Sequence, residues 1–216
     1  MSVVDRIREI GVVPVVRASS SDEALAAVEA IRAGGIPILE ITLTVPGAIN
    51  IISDLTRRLG DQALIGAGTV LDADSARACI DAGAKFVVSP ALDIPTIETC
   101  NALDIPIFPG ALTPTEVVTA WKAGADAVKI FPANSVGGAT YLKSLKAPLP
   151  QIELIPTGGV TLKNAGELIA AGAFALGVGA DLVDLGAVRK GDLAAITEKA
   201  RRYVAAVAAA RKPTQA

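Results

Sequence analysis

The chain has 216 residues, a formal net charge of −2 at pH 7 and no histidine, with 51% hydrophobic and 3% aromatic residues. So small a charge gives no electrostatic case for nucleic acid or an anionic membrane, and so few aromatics build no base-stacking platform. Without histidine there is no Ser-His-Asp triad, no Cys-His pair and no His-ligated zinc, so acid–base chemistry falls to Glu, Asp, Lys, Tyr or water.

Asp5, Arg6 and Arg8 interrupt the start before any apolar stretch of a signal peptide. No run of ~18 apolar residues exists to span a bilayer. Cys79 and Cys100 fall in helix-like stretches at no metal-ligand spacing. They read as small core residues of a reduced, cytoplasmic protein. The length suits one domain, expected over 1–211, with a frayed tail at 212–216.

Residues 2–10 read as a short amphipathic helix, placed to cap the bottom of a barrel. Apolar runs then follow near 11–17, 36–43, 63–69, 85–89, 105–108, 125–130, 152–156 and 174–178. Between them lie Ala-rich segments with apolar residues at i, i+3, i+4 and i+7, and 192–211 forms the last helix. Helix starts are marked at Ser21-Asp22-Glu23, Asp72 to Ser75 and Thr113-Pro114-Thr115-Glu116. Helix stops are marked by Ala33-Gly34, Ala82-Gly83, Ala123-Gly124 and Ala171-Gly172, at intervals of 49, 41 and 48 residues. Each interval holds two strand–helix units. Eight continuous apolar strands, each followed by a helix, predict a closed (β/α)8 TIM barrel of parallel strands. An open doubly wound sheet is the alternative, but its Gly-x-Gly-x-x-Gly opening is missing after the first strand.

Two charges interrupt otherwise apolar strands. Lys129 sits in Ala127-Val128-Lys129-Ile130-Phe131-Pro132. An ammonium taken out of water tends to neutralise, and a neutral amine attacks carbonyls; the alternative is a side chain that reaches water at the strand end. Glu40 is the only ionisable group in Ile36 to Leu43. A carboxyl placed there either shifts upward, as a proton shuttle requires, or forms a structural ion pair with Lys129 or Arg17. Strands two and six are both even-numbered, so a barrel can place Glu40 and Lys129 in one interior layer.

The carboxyl ends of barrel strands form the catalytic face. There the sequence places Arg17, Thr69, Ser89-Pro90, Thr157-Gly158-Gly159 and Gly177-Val178-Gly179-Ala180. Thr69 and Thr157 read either as substrate contacts or as strand-end hydroxyls bonding backbone. The glycine pairs read either as tight turns or as loops offering N–H groups to a phosphate.

The blocks Val15-Val16-Arg17-Ala18, Leu39-Glu40-Ile41-Thr42-Leu43, Gly66-Ala67-Gly68-Thr69-Val70, Val88-Ser89-Pro90, Val128 to Pro132 and Pro156 to Val160 cover nearly the whole chain. Together they resemble the 2-keto-3-deoxy-6-phosphogluconate (KDPG) / 4-hydroxy-2-oxoglutarate (KHG) aldolases. The resemblance implies a class I aldolase on a (β/α)8 barrel, usually a homotrimer, that needs no metal or other cofactor. Its partners would be a small keto acid and an aldehyde: a 2-keto-4-hydroxy acid, foremost KDPG, is cleaved to pyruvate and glyceraldehyde 3-phosphate. KHG and 2-keto-3-deoxy-6-phosphogalactonate are the alternative substrates. Lys129 would form the Schiff base and Glu40 would transfer protons. Arg17 and Thr69 would hold the pyruvate carboxylate and Phe131 would wall the pocket, with Pro90 and Thr157 beside the substrate. Gly158, Gly159, Gly179 and Ala180 would surround the phosphate.

Two departures matter. Some members carry Leu-Arg-Thr where this chain reads Leu43-Thr44-Val45, which leaves Arg17 as the carboxylate contact. Many have Ser where this chain has Ala180, so one hydroxyl donor worth about 1 kcal/mol is absent. A phosphosugar isomerase or synthase on the same barrel is a second reading. A non-catalytic phosphosugar-binding barrel is a third, disfavoured because a scaffold gains nothing from two buried charges.

Overall fold

The computed structural model describes residues 1–211; the tail expected at 212–216 lies outside them. Helix α1 (Val3–Ile10) begins with a capping box in which the Ser2 hydroxyl accepts from the Asp5 N–H and the Asp5 carboxylate accepts from the Ser2 N–H. It stops at Gly11 in the left-handed region, which turns the chain into β1 (Val12–Val16). Ile7 is buried, and Arg8 lies over the Phe174 ring while pairing with Glu153 at 2.9 Å. Glu153 lies one residue before β8 and Phe174 two before β9, so α1 covers the amino ends of the sheet as the sequence predicts.

The remaining strands are β2 (Ile38–Thr42), β3 (Leu64–Gly68), β4 (Val87–Val88), β5 (Ile107–Phe108), β6 (Gly110–Ala111), β7 (Val128–Ile130), β8 (Leu154–Pro156) and β9 (Leu176–Val178). Every strand residue is buried and every pairing is parallel. That is the reason the runs are continuous rather than alternating: helices cover the outer face and side chains fill the inner one.

The fifth predicted strand, 105–108, is observed as β5, and beyond Pro109, which has no N–H to give a ladder, follows a short strand β6 that the sequence reading did not include. The predicted sixth strand, which carries Lys129, is therefore β7. The strands run in the order β5-β4-β3-β2-β1-β9 in one sheet and β6-β7-β8 in the other. A parallel bridge between Thr157 and Gly177 and a bond from the Phe174 N–H to the Leu154 carbonyl, 2.9 Å, join β8 to β9. The product is an α/β fold of parallel strands in a curled, TIM-like sheet.

Helices α2 (Ser21–Ala33), α3 (Ala48–Leu59), α4 (Ala73–Asp81), α5 (Ile94–Ala102), α6 (Pro114–Lys122), α7 (Ala139–Lys146) and α8 (Ala165–Ala170) occupy the predicted gaps. Asp72 and Thr113 cap α4 and α6 as expected, whereas α2 is capped one residue early, by Ser20. Gly83, Gly124 and Gly172 take positive φ just past their helices; at the first stop that role falls to Gly35 instead of Gly34. A short helix, α9 (Leu185–Arg189), was not legible in the sequence, and α10 (Leu193–Arg211) is the last helix among the described residues.

Candidate active site

Glu40 lies in β2 between Val15 of β1 and Gly66 of β3, while Lys129 lies in β7 between Gly110 of β6 and Ile155 of β8. The two strands belong to different sheets, yet Lys129 Nζ stands 3.9 Å from Glu40 Oε1. Glu40 is 2% exposed and Lys129 5%. Lys129 therefore does not reach out to water. The pair meets across an interior cavity of about 10 Å³ lined by Val13, Val88, Phe108, Ile155, Thr157 and Gly177 besides the two charges.

At 3.9 Å and an effective dielectric of ~20, two unit charges attract by about 4 kcal/mol. That separation is too long for a hydrogen bond. Glu40 Oε1 has no hydrogen-bond partner among the described residues. Burial pushes the Glu40 carboxyl above its ordinary range, against the opposing pull of Lys129 and then Arg17. Lys129 Nζ also stands 5.3 Å from the centre of the Phe131 ring. A buried acceptor without a partner beside an amine is costly as pure structure, and such groups cluster at reaction sites.

Glycine makes this geometry possible. A Cβ built on Gly68 would fall 2.0 Å from Glu40 Oε1, so the glutamate folds over β3 only because residue 68 has no side chain. Gly177 does the same for Thr157, whose Oγ1 would lie 2.0 Å from a Cβ there. Neither glycine's role was anticipated. The available signal was a glycine at i+2 in the strand beside the one that carries the glutamate.

The other expected residues gather at the carboxyl ends of the strands. Arg17 is exposed just after β1 and forms no ion pair among the described residues, so Glu40 is paired with Lys129 alone. Thr69 follows β3 at φ 59°, an unusual state for a β-branched residue that costs on the order of 1–3 kcal/mol and marks a strained strand end. Thr157 is buried, and its hydroxyl has only a 3.4 Å contact with its own strand, to the Ile155 carbonyl. The Pro90 backbone packs where a Cβ on Gly110 would lie. Gly158 and Gly159 both take positive φ after β8, and the Gly158 carbonyl accepts from the Asn134 N–H. The Gly179 carbonyl accepts from the N–H groups of Leu182 and Val183, making a turn that leaves Ala180 exposed. Thr69, Pro90, Gly179 and Ala180 make no hydrogen bond with Lys129 or Glu40 among the described residues.

An amine enclosed beside a carboxyl at the centre of a parallel α/β fold can form an imine with a carbonyl substrate and have its protons moved by that carboxyl. The family model for KDPG and KHG aldolase matches residues 3–199, and the chain belongs to that family. It is 37% identical over 179 residues to the 2-dehydro-3-deoxy-6-phosphogalactonate aldolase of Escherichia coli (strain K12), covering 82% of this chain and 87% of the relative. It is 34% identical over 198 residues to the 2-dehydro-3-deoxy-phosphogluconate aldolase of Dickeya dadantii, covering 92% of each. Among solved structures, the KDPG aldolase of Legionella pneumophila, with pyruvate captured as a covalent carbinolamine intermediate, superposes with a TM-score of 0.85. It is 32% identical, over 92% of this chain and 96% of that one.

Proposed function

We propose that this aldolase is of class I and pyruvate-dependent, cleaving a 2-keto-4-hydroxy acid, principally KDPG, to pyruvate and glyceraldehyde 3-phosphate. The observation that carries this reading is the enclosed Lys129–Glu40 pair at 3.9 Å.

Lys129 Nζ attacks the C2 ketone to give a carbinolamine. Glu40, whose burial favours its protonated form, donates a proton as water leaves and the iminium forms. The carboxylate so produced takes the C4 hydroxyl proton. The C3–C4 bond breaks, its electron pair passes into the iminium, and the aldehyde departs. The enamine is protonated at C3, and water hydrolyses the resulting iminium to pyruvate and free Lys129. In this cycle the reactant supplies the partner that Glu40 Oε1 lacks.

Arg17 and the strained Thr69 turn hold the pyruvate carboxylate, Phe131, Pro90 and Thr157 border the chain of the substrate, and the Gly158-Gly159 and Gly179-Ala180 loops receive the phosphate. The two sheets act as one closed eight-stranded barrel within a single domain. The chain continuity of β5 and β6, the Thr157–Gly177 bridge and a cavity lined from both sheets support this. The working form is a cytoplasmic homotrimer. Exposed Leu71, Trp121 and Ile49 offer apolar surface for association, and a stable monomer in sedimentation at micromolar concentration would contradict it.

Pyruvate release coupled to lactate dehydrogenase tests the reaction. KDPG should be cleaved fastest, with KHG and the galactonate epimer slower. No pyruvate from any of the three would end the reading.

A further inference from the structure

We propose that Tyr203, on the last helix, is a positioning residue for the phosphate end of the substrate, acting by holding the Asp181 carboxylate away from the loop that follows β9. The inference rests on the aldolase reading above.

Tyr203 is fully buried, and its hydroxyl donates to Asp181 Oδ2 at 2.6 Å. Four residues earlier on the same face of α10, Lys199 Nζ donates to the Asp181 carbonyl at 2.7 Å. A phenol is retained in an apolar core only where its hydroxyl finds a partner, and here both ties converge on one loop residue. Burial, then the Asp181 carboxylate, pushes the phenol well above its ordinary range, so it remains a donor at any working pH.

Asp181 is the neighbour of exposed Ala180, in the turn closed by the Gly179 carbonyl and anchored by buried Leu182 and Val183. Neither the Ala180 nor the Asp181 N–H makes a backbone hydrogen bond among the described residues, which leaves both to an anion at the loop. A carboxylate free to swing toward that anion would repel it. The phenol turns the carboxylate toward α10, so the loop presents its N–H groups without the charge beside them. Neither the glycine motif nor the helix pattern carries this information, because the contact spans 22 residues through space.

Steady-state kinetics with KDPG and KHG test it on three proteins: wild type, Tyr203→Phe, and Tyr203→Phe with Asp181→Asn. Tyr203→Phe keeps the ring and should raise KM for KDPG about five- to tenfold. It should leave kcat and the KM for unphosphorylated KHG within twofold. Adding Asp181→Asn removes the charge and should restore most of the KDPG affinity, a rescue that a merely structural role would not give. Should Tyr203→Phe fold poorly, Lys199→Met removes only the second tie and should raise the same KM selectively, by about threefold. Equal effects on both substrates, no effect, or no rescue would overturn the positioning role while leaving the aldolase reading intact. A wild type that releases no pyruvate from either substrate overturns both.

Discussion

Replacing Gly68 by alanine perturbs Glu40 without touching its chemistry. The new Cβ would lie 2.0 Å from Oε1 and 2.5 Å from both Cδ and Cγ of Glu40. Ordinary contact lies nearer 3.5 Å, so the carboxyl must retreat by roughly 1 Å or more. It is 2% exposed and faces Lys129 at 3.9 Å, so it has little room to do so without losing its place opposite the amine. Misplacement by ~1 Å costs about 10²-fold in rate, and overpacking a core costs about 1–3 kcal/mol. At 2–4 °C per kcal/mol for a chain of this size, Tm should fall by roughly 2–12 °C. The assay is kcat for KDPG cleavage beside a thermal melt, with Gly166→Ala as control. A Cβ at Gly166 meets only Ala210 Cβ, at 4.0 Å, within helix α8. Gly68→Ala should lose about 10²-fold in kcat while the control changes little. A Gly68→Ala enzyme within threefold of wild type would refute the claim that Glu40's position sets the rate.

Glu40→Gln keeps the shape and removes the titrating proton, so pyruvate should still bind while turnover drops by roughly 10²–10⁴-fold. Cleavage within a few-fold of wild type would make Glu40 structural. Lys129→Ala removes the larger of the two cations that oppose Glu40's raised pKa, so the folded state will bind that carboxyl proton still more tightly than the unfolded chain does. Stability then falls as pH climbs above the unfolded value of 4.5, until the raised folded value is passed. The Tm gap to wild type should thus be small near pH 4.5 and widen above it, by up to about 3–5 °C per pH unit; a gap independent of pH would contradict it. Ala180→Ser should improve kcat/KM for KDPG by about tenfold, if one hydrogen bond of ~1.4 kcal/mol is added, and do little for KHG. Equal gains on both substrates, or a wild type that prefers KHG outright, would remove the phosphate from this loop.

Strand positions were legible because burial on both faces leaves continuous apolar runs, and Lys129 and Glu40 stood out because each interrupts one. β6 escaped notice because Pro109 cannot donate to a ladder and only Gly110 and Ala111 follow it, too short a stretch to read as a strand. α9 escaped notice because five residues carry too little periodicity to distinguish a helix from a loop. The glycine stops located helix ends to within a residue, yet Gly34 and Gly35 exchanged roles because either can adopt the required turn. What stayed hidden was pairwise: Gly68 making room for Glu40, Gly177 for Thr157, and Tyr203 reaching Asp181 depend on side-chain directions set only when distant strands and helices meet.

Lys129 is the amine that we propose forms a covalent bond to pyruvate. Incubation with pyruvate and borohydride, followed by digestion and mass spectrometry, tests it directly. One reduced adduct should form, on the peptide bearing Lys129, and none in Lys129→Ala. A label on Lys85 or Lys143, or no label on wild type that cleaves KDPG, would contradict it.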